Sequence, residues 1–155
     1  MLKLLTLGLV VAGLCLGPAT ASARVTGATA PPDVKILFPA HCACGIAAPQ
    51  ASTVSIIVSV TNFKLSPAGF GKAPVAGQGH LCFSLDHGKF DHPAYSGANG
   101  KLATKIGSEG KCSPSVTTKI TYSNLPSGPH TVVVYLVSNA NTKLGPSDKE
   151  TFTVQ

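Results

Sequence analysis

The chain has 155 residues, 44% of them hydrophobic and 12% charged, with no Trp and 12 basic against 6 acidic residues, a net charge of +6. That is the length of one ordinary domain and enough to bury a core. The lysines at 35, 64, 72, 89, 101, 105, 111, 119, 143 and 149 stand singly and the only arginine is Arg24. The clustered basic and aromatic surface of a nucleic-acid binder is therefore missing, and no nucleic-acid partner is expected.

Residues 1–23, MLKLLTLGLVVAGLCLGPATASA, place Lys3 before an apolar run from Leu4 to Leu16 and small residues at Ala19, Ala21 and Ala23. This is the order of a secretory signal peptide, and the run is too short for a comfortable membrane span. Cleavage is expected after Ala23, with Ala21 as the second choice. Lipidation at Cys15 would want a small residue before the cysteine, where Leu14 stands. The mature chain should then be secreted, periplasmic or at the cell surface, without stable membrane insertion. Lys3 leaves with the leader, so 11 basic residues face 6 acidic ones and the net charge becomes +5.

Residues 24–33, RVTGATAPPD, read as a flexible lead-in, and 34–155 as a single domain. VKILF, 34–38, is a short strand stopped by Pro39. After the turn AHCACGIAAPQ, the segment STVSIIVSVTNFKL sets Val54, Ile56, Val58 and Val60 against Ser55, Ile57, Ser59 and Thr61, the period of two of a half-buried strand. A loop at 66–79 leads into HLCFSLD, where Leu81, Phe83 and Leu85 alternate with His80, Cys82, Ser84 and Asp86. From 87 to about 114 the pattern dissolves, and a long connection with one weak strand around Leu102–Ile106 is expected. SVTTKITYSNL puts Val116, Thr118, Ile120 and Tyr122 on one face. HTVVVYLV, 130–137, is apolar on both faces and reads as a central strand. Residues 138–149 read as a polar connection, and ETFTV as the closing strand.

No stretch has a convincing 3.6-residue apolar period. Six or seven strands without helices argue an all-β fold, an antiparallel two-sheet sandwich of immunoglobulin-like build, with a closed barrel as the alternative.

After the leader four cysteines remain: Cys42, Cys44, Cys82 and Cys112. In an exported chain an even count reads as two disulfides. Cys42 and Cys44, two residues apart, are poorly placed to bond to each other, so each is expected to reach Cys82 or Cys112.

The stretches VSVTNFKL, AGQGHLCFSLD, LPSGPHTVVVYLVSNANTKLGP and ETFTV together resemble a group of small exported immunoglobulin-like β-sandwich domains, largely bacterial, with a Gly-x-Gly-His strand and a Leu-Pro-x-Gly-x-His-Thr corner. The resemblance covers about residues 34–155 and implies the fold, not an activity. In such domains a second histidine often stands where this chain has Cys82, and a histidine often follows the asparagine where it reads Asn139, Ala140, Asn141.

Three functional readings follow. The first is a monomeric binding or accessory module, not an enzyme and without a cofactor, for an extracellular or cell-surface ligand. Its ligand-binding candidates are Phe70, His87, Phe90, His92 and Tyr95, aromatics and imidazoles on the long loops; Phe90 and Tyr95 could equally pin their loop to the core. The second is an exported copper- or zinc-binding protein with His41, Cys42, Cys44, His80 and Cys82 as ligands, His80 and Cys82 lying about 7 Å apart on one strand face. Paired cysteines would cease to be ligands. The third is a small secreted hydrolase using the pairs Asp86-His87 and Asp91-His92, which requires all four to converge in one pocket. His130, after the turn LPSGP, is expected to hydrogen-bond back across that corner, with Gly128 supplying backbone freedom. No Asn-x-Ser/Thr acceptor occurs, so N-glycosylation is not expected.

Overall fold

The structure, a computed structural model, describes residues 30–39 and 49–155. The leader, most of the lead-in, and His41, Cys42 and Cys44 lie outside the described residues.

Two sheets enclose one core. The first has the order β1-β2-β6, from β1 (Asp33–Phe38), β2 (Val54–Thr61) and β6 (Lys119–Tyr122). The second has the order β3-β4-β7-β8, from β3 (Lys64–Leu65), β4 (Gln78–Leu85), β7 (Gly128–Ser138) and β8 (Lys143–Val154), with β5 (Ser113–Ser115) also on β4. Val34, Val54, Ile56, Val58, Ile120 and Tyr122 from the first sheet meet Leu81, Phe83, Leu85, Val132, Val134, Leu136, Phe152 and Val154 from the second. These are the residues that period-two alternation aims inward, and β-branched and aromatic side chains fill the pleated faces well.

The segment expected as one strand over 54–65 is divided. Asn62 takes a positive φ of 54°, which few side chains tolerate as well as asparagine. There the chain leaves β2 in one sheet and enters β3 in the other, where it runs parallel to β4. As expected, β7 is central, hydrogen-bonded to β4 on one side and β8 on the other.

Two expectations are corrected. The stretch expected as connection and weak strand contains a helix, α1 (Pro93–Ile106), kinked at Gly97. Its buried residues are Ser96, Gly100 and Ala103, a face of small side chains that carries no apolar period. The kink at Gly97 brings Gly100 against the start of the same helix, where a side chain would collide with the backbone of His92 and Pro93. The second correction is β8, which starts at Lys143 and not near residue 150. Its inward positions include Asp148, whose Oδ2 accepts from the Ile36 N–H at 2.8 Å and ties β8 to β1. A carboxylate at such a position reads as loop in the sequence.

The cysteine pairing is also corrected. Cys82 is bonded to Cys112, with Cα atoms 5.5 Å apart, so neither is available to Cys42 or Cys44. The cause is β5: Ser113 pairs with Phe83 and Pro114 with Cys82, which carries Cys112 up against β4. The closed loop of 30 residues contributes about 3.5 kcal/mol in the chain-entropy picture.

Candidate functional site

Leu81, Phe83 and Leu85 of β4 point into the core, so His80 and Cys82 stand on the opposite face of the second sheet. The register sets His80 beside Val137 and Cys82 beside Tyr135 on β7, and Lys143 of β8 beside Val137. The disulfide draws the turn at 107–112 across this face. Between turn and sheet lies a cleft of about 200 Å³, whose walls include His80, the Cys82–Cys112 disulfide, Tyr135, Ser108, Lys111 and Lys143. That is smaller than a drug-sized pocket.

His80 is 2% exposed. Its ring lies 4.3 Å from that of Phe70, and it forms part of the cleft lining. Burial lowers its pKa to about 4, because desolvation penalises the charged imidazolium. His80 therefore offers the cleft a neutral ring with one donor and one acceptor. The ammonium of Lys143 sits 4.6 Å from the centroid of the Tyr135 ring, a cation–π distance. Burial, and secondarily the charge of Asp91, raise the Tyr135 phenol above its ordinary pKa, so it remains a hydroxyl donor. No aspartate or glutamate is among the described residues lining the cleft. Close to Phe70, Gly69 packs on Asn139, whose buried Oδ1 has no hydrogen-bond partner among the described residues.

The other expected residues are placed differently. Phe90 is 2% exposed and belongs to the core, its ring edge-on to Tyr95 at 4.8 Å and to His130 at 5.3 Å. It is no surface aromatic; burying its ring fixes the start of α1. Tyr95 is half-buried and takes a second edge contact from His92 at 4.8 Å. His87 is exposed at a turn, with φ 58°. Of the five, Phe70 alone touches a residue of the cleft.

The two Asp-His pairs do not converge in a pocket. Asp91 is fully buried and accepts from the Tyr122 hydroxyl at 2.6 Å, the Ser113 hydroxyl at 2.9 Å and the Leu85 N–H at 3.0 Å. Burial outweighs these bonds and raises its pKa to about 6. Proton counting agrees. Ser113 also lies 2.8 Å from Ser96 Oγ, and Ser96 lies 3.2 Å from the His92 carbonyl. One hydroxyl has one proton, so an ionised Asp91 leaves one of these contacts without a donor. Once protonated, Asp91 can donate to Ser113, Ser113 to Ser96, and Ser96 to His92. Asp86 meanwhile lies 2.7 Å from His130 Nδ1 and accepts from the Thr131 N–H at 2.7 Å. His130 Nε2 donates to the Pro126 carbonyl at 2.9 Å, the expected bond back across the corner, and Gly128 takes φ 125°.

For the metal reading, Cys82 is in a disulfide and not a thiolate, while His41, Cys42 and Cys44 lie outside the described residues. Among the described residues no group of three or more His, Cys, Asp or Glu is placed to hold a metal ion, and no helix is long and apolar enough to cross a membrane.

Lys111, Tyr135 and Lys143 were not singled out in the sequence. Nothing local marks them, since the register of three strands and one disulfide brings them together. Compared with known proteins, the chain matches no family model, no curated protein and no solved structure.

Proposed function

We propose that the chain is an exported β-sandwich of immunoglobulin-like build, stabilised by its disulfide, that acts as a monomeric, non-enzymatic binding module for a small extracellular ligand. The observation that carries this reading is the cleft beside His80, which combines a buried neutral imidazole in its lining, an aromatic wall and two lysines. A ligand that hydrogen-bonds to that imidazole replaces the water of the cleft. The disulfide supports a location in an oxidising compartment, and the leader supports export.

The test is a fragment screen by two-dimensional NMR on the chain purified after export. Hits are expected to shift His80, Ser108, Lys111, Tyr135 and Lys143 together. Hits whose shifts gather instead on the loops around His87 and His92, away from the cleft, would overturn this placement of the site. Intact mass on the same material, before and after reduction with alkylation, should show the leader cut near Ala23 and Cys82 and Cys112 protected.

A further inference from the structure

The residues around the cleft differ in what they can offer, and together they select a ligand class. Lys111 and Lys143 are exposed at its rim, and no described lining residue neutralises them. Exposed ammonium groups favour an anion without first having to give up their water. The walls from Val137, Ile106, the Tyr135 ring and the disulfide suit a ring or short hydrocarbon. Deepest in the sheet, His80 presents uncharged hydrogen-bonding nitrogens. The cleft volume of about 200 Å³ leaves space for one small molecule.

We infer that the cleft binds a small hydroxylated organic carboxylate, its anionic group held by Lys111 and Lys143, its body on Tyr135 and Val137, and its hydroxyl meeting His80. The inference rests on reading the cleft as the binding site and adds the chemistry of the ligand.

Titration of the full exported chain with 4-hydroxybenzoate, its neutral amide 4-hydroxybenzamide, and benzoate, followed by NMR shifts, tests it. The hydroxy-carboxylate should bind about tenfold more tightly than either analogue, since each lacks one polar interaction. The double variant K111A/K143A should lose about the same factor for the carboxylate and little for the amide. Both lysines are exposed, so the fold is not at risk. Comparing benzoate with 4-hydroxybenzoate examines the His80 contact without altering the protein, which matters because a variant at a buried position can misfold. Equal affinity for acid and amide, or a carboxylate affinity unmoved by K111A/K143A, would overturn the ligand class while leaving the cleft as a binding site. If none of the three shifts the cleft residues, the class is overturned as well. The fragment screen then decides separately whether the cleft binds anything.

Discussion

His80 and Asp91 are both buried and both shifted, and their effects on stability run in opposite directions over nearly the same pH range. His80 titrates near 4 in the folded chain against 6.5 unfolded, so its contribution is present above pH 6.5 and lost as pH falls through 4. Asp91 titrates near 6 folded against 3.8 unfolded, so its contribution is present below pH 3.8 and lost as pH rises through 6. Each linkage term is on the order of 3 kcal/mol, and between pH 4 and 6 the two slopes nearly cancel. The wild-type chain should therefore show a flat contribution from this pair in that window. Urea unfolding of D91N should expose the histidine term alone, with stability climbing as pH goes from 4 to 6.5. H80L should show the reverse, stability declining from pH 4 to 6. If D91N shows no change in slope relative to wild type, the carboxyl of Asp91 does not hold its proton into that range.

At the scale of elements, the helix α1 and the corner before β7 depend on single residues. Replacing Gly100 by Ala drives a methyl group into the His92–Pro93 backbone and should cost about 1–3 kcal/mol, the usual range for overpacking, measured by chemical denaturation. Ala at an exposed interior helix position normally stabilises relative to Gly, so the sign of the change distinguishes close packing from propensity. At the corner, Asp86 holds both His130 Nδ1 and the Thr131 N–H. D86A should cost about 2 kcal/mol, since the Thr131 N–H and a buried ring nitrogen of His130 both lose their hydrogen-bond partner. Amide exchange at Thr131 should accelerate in that variant. The helix also explains why its segment looked structureless. Pro93 at the first turn and Gly107 at the C-terminal cap, with φ 72°, are boundary signals visible in the sequence, but Ser96, Gly100 and Ala103 between them do not read as a buried face.

Across the whole molecule, the disulfide joins the polar middle of the chain to the most buried sheet. Reduction, or C82S/C112S, should lower the unfolding free energy by about 3.5 kcal/mol and loosen the turn at 107–112 that walls the cleft. Denaturation midpoints with and without reductant measure the first effect; NMR line widths at Ser108 and Lys111 measure the second. Non-reducing digestion should return a linked Cys82–Cys112 peptide.

Strands are legible in the sequence wherever apolar residues alternate. Val54, Ile56 and Val58, then Leu81, Phe83 and Leu85 stand where period two puts them, because a strand's inward face is written locally in every second residue, while 130–137, apolar on both faces, was legible as a central strand and not for which face turns inward. The His130 corner was legible for the same reason, its partner Pro126 being four residues away. The remaining contacts came from the fold. Cys82 met Cys112 because β5 pairs with β4, and Asp91 found Tyr122 across 31 residues of chain. The cleft joins positions from 80 to 143, whose proximity comes from strand register and a covalent link. Neither leaves a pattern in neighbouring residues, since each depends on which distant backbone supplies the hydrogen-bonding partner.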